Sequence, residues 1–306
     1  HHGNQAFAGG ETEMKEHTLT KRSFFPKFVT WATIVFFYIP LLVVAVNSFN
    51  QSKGGGVWKG FTFKWYAQLF SDTRIWEALR NTLVIASIAT VIATVLGTLC
   101  AFALHRYRNR LQKTHYMLVY LPLIVPDILR GISMLLLFVL LFAWINPILR
   151  QTTGIRVNLG ITTIIIAHIT FCLSYVAMVV LGRLQDFDFS LYEAALDLGA
   201  TPFQALYKIV LPQIVPGIVS GFMLSVTLSL DDYFISTYTK PATFDTISTY
   251  VVNATRGAQT EIKTALWALS TVIFLVVILV VVLMNLVSSK TAKRQEVNAY
   301  DSREKD

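Results

Sequence analysis

The sequence predicts an all-α integral membrane protein with about six transmembrane helices. Of its 306 residues, 54% are hydrophobic and only 14% are charged, whereas about 25% are charged in a typical soluble domain. The apolar residues form runs of roughly 20, the length that a helix needs to cross a bilayer. The net charge of +8 comes from Lys and Arg scattered between these runs, which is typical of membrane topology signals and not of a nucleic-acid-binding surface.

Six apolar runs are candidate spans, and they cover residues 28–49, 79–104, 116–141, 159–181, 212–230 and 265–287. Lys and Arg are most concentrated in the loops that face the cytoplasm if the N-terminus lies inside. The short segment 105–113 carries four of them in nine residues, and short basic loops dominate the positive-inside rule. Both termini are therefore predicted to be cytoplasmic.

The chain divides into one membrane domain and two terminal segments. Residues 1–13 begin with His1 and His2 and are interpreted as the remainder of an affinity tag, with Met14 as the native start. Residues 14–290 form the membrane domain, which includes a long cytoplasmic loop at 184–211, and residues 291–306 form a cytoplasmic tail.

Two of the spans are interrupted by helix breakers and charges. At membrane depth such residues are tolerated only where protein or a water-filled cavity satisfies them, so these two spans are predicted to line a pathway. The third span contains Pro122, Pro126, Asp127 and Arg130, and the fifth contains Pro212, Pro216 and Gly217 before Asp231 and Asp232. His168, in the fourth span, is interpreted as a hydrogen-bonded packing residue in preference to a gate.

The acidic residues of the pathway predict a cationic substrate. An acid at the centre of a lipid-facing helix costs roughly 2.5–3.5 kcal/mol, so Asp127, Asp231 and Asp232 must face a cavity, lie near an interface or be paired. Spaced ammonium groups could be held by these carboxylates and by the aromatic face of Tyr233. Two alternatives stay open: Arg130 could neutralise Asp127 across three residues, and Asp231 or Asp232 could cap a helix near Tyr233 or hold a subunit contact.

The loop between the fourth and fifth spans predicts a helix, a turn and a second helix. Ser190 has the spacing of a capping box with Glu193, and Gly199 supplies the left-handed stop. Thr201 then caps a second helix with Pro202 at its first position, and this helix is predicted to end before Pro212. Two alanines beside an acid leave a helix face on which another protein can pack. The residues of this surface are Glu193, Ala194, Ala195, Leu198, Gly199 and Ala200.

This loop resembles the EAA motif of binding-protein-dependent ABC importer permeases, which is Glu-Ala-Ala, three residues, Gly, nine residues, Ile, one residue and Leu-Pro. The matching residues are Glu193, Ala194, Ala195, Gly199, Ile209, Leu211 and Pro212. The resemblance implies a type I (MetI-like) permease fold and a loop that docks in a groove of an ATPase subunit. Two alternatives are a plain capping box and a DNA-binding helix-turn-helix, and the flanking spans argue against the latter.

Further segments are similar to the spermidine/putrescine permease branch, and more to its PotC-type than to its PotB-type subunit. They are Asn47–Asn50, Lys64–Tyr66, Pro126–Ile128, His168–Cys172 and Leu228–Asp232. One departure is Thr246-Ile247, where that branch usually has Leu-Pro after the fifth span. The resemblance implies ATP-driven polyamine import by alternating access across the bacterial cytoplasmic membrane.

By the same resemblance the chain works in a complex. Its expected partners are a cytoplasmic ATPase dimer, a second homologous permease that forms a heterodimer with it, an extracytoplasmic polyamine-binding protein and membrane lipid. No phosphate-cradling Gly-x-x-x-x-Gly-Lys-Ser/Thr loop occurs in the sequence. The chain is therefore predicted not to be an enzyme and not to bind a cofactor. ATP and Mg²⁺ are expected to be held by the ATPase. The rival classes are an ion-gradient-driven transporter or channel for a cationic solute, and a non-transporting scaffold.

Overall fold

A computed structural model describes residues 24–52, 57–106, 112–152, 154–256 and 265–275, together with 278, 279 and 282. In this part of the chain the regular structure is helical, apart from one isolated antiparallel bridge between Asn50 and Phe61. The chain divides into two compact units, one formed by His1–Leu69 with Thr260–Asp306 and the other by Phe70–Gln259. The predicted tag at 1–13 and the predicted tail at 291–306 lie outside the described residues.

The first unit contains helix α1 (Phe24–Asn47) and a helix near the end of the chain, α12 (Ala265–Leu275). After α1, the buried Trp65 donates its indole N–H to the carbonyl of Asn50 at 2.7 Å. Trp65 belongs to a short helix, α2 (Lys64–Ser71). The described start of the predicted sixth span is helical, and most of its remainder lies outside the described residues.

The second unit is a bundle in which three long helices pack against one another. Its elements are α3 (Thr73–Arg106), α4 (Gln112–Ile124), α5 (Asp127–Thr152), α6 (Ile161–Asp186), α7 (Ser190–Asp197), α8 (Pro202–Ala205), a π-helical turn (Leu206–Val210), α9 (Leu211–Asp231), α10 (Phe234–Thr239) and α11 (Ile247–Arg256). In the described residues of both units, five helices are long and apolar enough to cross a membrane: α1, α3, α5, α6 and the continuous Pro202–Asp231.

The predicted third span at 116–141 is wrong in its bounds, because the helix is interrupted in the middle of it. Helix α4 ends at Ile124, and Pro126 accepts the first backbone bonds of α5, from Leu129 at 3.0 Å and Arg130 at 3.2 Å. Proline lacks an N–H and disfavours a helical residue before it, so it starts a helix more readily than it continues one. Asp127 is therefore placed in the first turn of α5.

The predicted helix end before Pro212 is also wrong. The helix passes through the π-helical turn, in which the Leu211 N–H bonds to the carbonyl of Leu206, five residues back. Pro212 lies directly after this turn, where the regular bonding ladder is already interrupted, so its missing donor does not end the helix. One unbroken helical segment therefore joins the loop at 184–211 to Asp231, with α9 alone covering roughly 30 Å.

The core of the bundle depends on close approach of α3, α6 and α9. A Cβ atom added at Gly97 would lie 2.8 Å from the Cβ of Val176 and 3.0 Å from the carbonyl oxygen of Leu173. The same valine lies 3.3 Å from a Cβ added at Gly221. Both glycines therefore let the neighbouring helices pack against Val176, which is fully buried.

We expect Gly97→Ala to destabilise the protein by about 1–3 kcal/mol, because the added methyl group overpacks a helix contact that includes backbone. Gly182→Ala in α6 is the matched control, since nothing lies within 4 Å of a Cβ at that position. The temperature at which the purified complex loses its gel-filtration peak measures the difference. Equal temperatures for the two variants would contradict this account of the α3–α6 contact.

Candidate coupling loop and substrate pocket

Helix α7 ends where Gly199 adopts the left-handed conformation, with a φ of 88°. The Gly199 N–H bonds to the carbonyl of Leu196 at 2.9 Å, and the Ala200 N–H bonds to that of Ala195 at 3.0 Å. This pair of bonds is the Schellman motif, which satisfies the last carbonyls of a helix and turns the chain. The left-handed stop predicted at Gly199 is confirmed.

The next helix begins as its sequence predicts. The Thr201 hydroxyl accepts the Gln204 N–H at 3.3 Å, and the Gln204 side chain accepts the Thr201 N–H at 3.0 Å. Pro202 occupies the first helical position. This reciprocal capping box fixes the start of α8.

The predicted cap of α7 by Ser190 is wrong. Ser190 is the first residue of the helix, and its N–H is accepted by the Asp188 carboxylate at 3.0 Å. The hydrogen bonds from Ser190 hold the pKa of Asp188 below its usual value. This contribution to the turn is therefore present at neutral pH and is lost as the pH falls through the lowered pKa. The short side chain of Asp188 reaches the N–H two residues on, and the N–H groups that a Ser190 cap would accept, those of Tyr192 and Glu193, bond to the Phe189 carbonyl.

Most of the coupling surface predicted from sequence is exposed, and its residues Ala195 and Ala200 are half-buried. No residue of α7 is buried, and Glu193 and Ala194 are among its exposed residues. Leu198 is 90% exposed and Phe203 is 75% exposed, and the Phe203 ring stacks on that of Tyr207. We call Leu198, Phe203 and Tyr207 the loop patch. Large apolar side chains left uncovered on neighbouring turns are typical of a protein-binding surface.

At the other end of α9, four residues predicted for the substrate pathway line one cavity. Asp127, Asp231, Asp232 and Tyr233 meet there, although Asp127 is on α5 and the others follow or end α9. The cavity has a volume of about 300 Å³, which is at the small end for ligand pockets. The structure therefore brings together all four predicted pathway residues.

Asp232 is a buried structural acid. Its side chain is 8% exposed, and its carboxylate accepts the N–H groups of Ser236 at 2.7 Å and Ile235 at 3.3 Å. It thereby caps helix α10, as one of the sequence alternatives predicts. The imidazole Nε2 of His168 lies 3.5 Å from the same carboxylate.

His168 is a packing residue, as predicted. It is 1% exposed, with Nδ1 at 2.8 Å from the Ser229 hydroxyl and Nε2 at 3.0 Å from the Ser236 hydroxyl. Both ring nitrogens are therefore engaged by α9 and α10. The ring fixes these two helices relative to α6 just behind the cavity.

The two remaining acids differ from Asp232 and from each other. Asp127 forms the predicted ion pair with Arg130, and its side chain is 57% exposed. Asp231 is exposed and makes no hydrogen bond or ion pair with another described residue. Tyr233 lines the cavity, but the Arg256 guanidinium already lies 5.9 Å from its ring centre. Asp231 is thus the acid best placed to meet an added cation.

Sequence reasoning missed the wall that α6 contributes to the cavity, and on α9 it missed Thr227. Phe171 and Tyr175 line it from α6, and Thr227 lines it one turn before Asp231 on α9. The two α6 residues are four positions apart, and so are Thr227 and Asp231. This spacing places two side chains on one helix face. That spacing relates Thr227 to Asp231 in the sequence, but which face of α6 would meet them depends on tertiary packing.

These observations define a class: a multi-pass membrane protein in which one continuous helix joins an exposed loop to a cavity lined by three acids, the architecture of a transporter permease. The sequence model of a family described as "Binding-protein-dependent transport system inner membrane component" matches residues 93–293. The chain belongs to this family and is a permease subunit of an ABC importer in the bacterial inner membrane.

Curated relatives agree with this family. The chain is 34% identical over 264 residues to the spermidine/putrescine transport system permease protein PotC of Haemophilus influenzae, covering 86% of this chain and 95% of that protein. It is 39% identical over 230 residues to the putrescine transport system permease protein PotI of Escherichia coli K12, covering 74% of this chain and 79% of that one.

A solved structure shows the same fold. The match is to a chain of a bacterial alginate ABC transporter in complex with an alginate-pentasaccharide-bound periplasmic protein, with a TM-score of 0.65, 23% sequence identity, and coverage of 85% of this chain and 93% of that one. At this identity the likeness concerns the fold alone. The predicted all-α type I permease fold is therefore confirmed.

Proposed function

We propose that this permease translocates polyamines, and that Asp231 receives an ammonium group of the substrate. The observation that carries the proposal is the exposed carboxylate of Asp231, which has no partner in the described part of the chain and lines a cavity of about 300 Å³. A cation held there gains from charge attraction and from nearby aromatic rings such as Tyr175. The names of the PotC and PotI relatives, which include spermidine and putrescine, support the same substrate class.

Within this proposal the loop at 184–211 lies in the cytoplasm with both termini, and it docks on an ATPase. The loop patch and the face around Glu193, Ala194, Ala195 and Ala200 are the contact surface. The ATPase dimer holds ATP and Mg²⁺, and its closure moves the loop. Since one helical segment runs from Pro202 to Asp231, displacement of the loop is transmitted along α9 to the pocket.

The remaining partners follow from the family. A second homologous permease would complete the pathway, and an extracytoplasmic binding protein would deliver the polyamine. ATP binding would open the path to the outside, and hydrolysis would return it to the inside. The rival mechanism, a cation transporter driven by an ion gradient, needs no exposed docking loop.

Transport by the reconstituted importer tests the proposal. Proteoliposomes that contain both permeases, the ATPase and the binding protein are expected to accumulate labelled putrescine or spermidine only with ATP. Excess unlabelled polyamine should abolish this uptake, while an excess of an uncharged diol of equal length, 1,4-butanediol, should leave it unchanged. Uptake that follows an imposed ion gradient in the absence of ATP would overturn the coupling mechanism, and ATP-driven uptake of a non-cationic solute alone would overturn the substrate class.

A further inference from the structure

Arg130 is a charged residue of the pocket whose bonding is incomplete. Its side chain is only 13% exposed, and one terminal nitrogen pairs with Asp127. The other terminal nitrogen and Nε are buried and have no hydrogen-bond partner among the described residues. Its guanidinium carbon lies 5.8 Å from the ring centre of Phe171.

This arrangement differs from a purely structural ion pair. A buried guanidinium with a fixed structural role normally has its donors satisfied, because leaving them unmade is unfavourable. Arg130 instead has one bond to an exposed acid and a weak contact with an aromatic face. These are the two kinds of contact that the pocket would offer to a bound ammonium group.

The three acids that line the cavity differ in whether they already have a partner. Asp232 is engaged by two backbone N–H groups and lies beside His168, and Asp127 is engaged by Arg130. Of the three acids that line the cavity, Asp231 is left for an incoming cation. The number of open carboxylates is therefore set by Arg130, since its removal would release Asp127.

We propose that Arg130 is a resident cation of the pocket, which occupies Asp127 in place of a substrate ammonium group and so limits the pocket to one strong ammonium contact. This inference rests on the proposed function. A single contact lets a multiply charged substrate bind and still leave. Arg130 is thus a specificity-determining residue that sets how strongly binding depends on substrate charge.

The test compares two amines that share a four-carbon chain, n-butylamine with one charge and putrescine with two. Their binding is measured on the assembled importer in lipid nanodiscs without the binding protein. Arg130→Gln is expected to tighten putrescine binding about tenfold, because a second carboxylate becomes available. The affinity for butylamine should change by no more than about twofold, since its single ammonium group already binds Asp231.

A second substitution reports on the same contact from the other side. Adding Asp127→Asn to Arg130→Gln should return putrescine binding to near the wild-type value, because the released carboxylate is gone. Asp127→Asn alone should weaken putrescine binding about tenfold, because it leaves Arg130 uncompensated. Arg150→Gln, the same change on α5 outside this cavity, is the control and should alter neither amine.

The outcomes separate this inference from the proposed function. If Asp231→Asn abolishes binding while Arg130→Gln changes both amines equally or neither, the role of Arg130 is overturned and the substrate pocket stands. If the wild-type importer binds neither amine, or Asp231→Asn has no effect, the proposed pocket itself is overturned. If Arg130→Gln impairs assembly, Asp127→Asn alone decides, and unchanged putrescine binding in that variant rejects the inference.

Discussion

Replacing Gly199 by valine is expected to reduce ATP-driven uptake at least tenfold in a complex that still assembles in the membrane. Gly199 has a φ of 88°, and a left-handed residue with a Cβ costs about 1–2 kcal/mol, more when it is β-branched. Valine would relieve this strain by returning to a negative φ. The Schellman bonds to Ala195 and Leu196 would then break, and the chain would enter α8 in a different direction relative to α7.

Steric exclusion does not explain this expected loss, because nothing lies within 4 Å of a Cβ built at Gly199. The effect therefore depends on backbone conformation alone, which supplies a matched control. Asparagine tolerates the left-handed conformation better than other residues that carry a Cβ, so Gly199→Asn should retain most of the uptake. If the valine variant co-purifies with its ATPase in normal amounts and transports as well as wild type, the turn at Gly199 is not part of the coupling.

The loop shows why local signals can be read from sequence and where they fail. Thr201, Pro202 and Gly199 have the predicted roles because each role is decided by bonds within four residues. The assignment of Ser190 as a cap failed because the helix begins one residue earlier than predicted, with the Asp188 carboxylate accepting the N–H of Ser190 itself. Both residue types are good caps, and the sequence contains nothing that ranks them at this distance.

The prolines show where prediction from sequence fails, because their effects depend on more than the few residues around them. Pro126 starts a helix, whereas Pro212 lies inside one, although both interrupt apolar runs. The difference comes from the π-helical turn before Pro212, and the hydrophobic pattern does not reveal such a turn. Similarly, the sequence marks Asp127 and Asp231 as expensive in lipid. That they share one cavity depends on the packing of α5 against α10, the helix that follows α9, and residue order does not specify this packing.

The neighbouring acids Asp231 and Asp232 look equivalent in the sequence, but the structure predicts opposite consequences for their removal. Asp231→Asn is expected to lower polyamine uptake at least tenfold and to leave thermal stability unchanged. Its carboxylate is exposed and has no partner among the described residues, so folding does not depend on its charge, whereas a bound ammonium group would.

Asp232→Asn is expected to lower the free energy of unfolding by about 1.5–3 kcal/mol, the usual contribution of a hydrogen bond to a charged group. It caps α10 through Ser236 and Ile235 and lies beside His168, and an amide cannot accept both N–H bonds as well as a carboxylate does. Uptake and the thermal loss of the gel-filtration peak are measured for both variants, with Glu77→Gln, an exposed acid of α3, as the control. If Asp231→Asn is the destabilised variant, the structural roles assigned to the two acids are wrong. If it transports normally while Asp232→Asn is stable but inactive, then the acid that meets the substrate is the buried one. The pocket would in that case have to open at α10 before it could bind a cation.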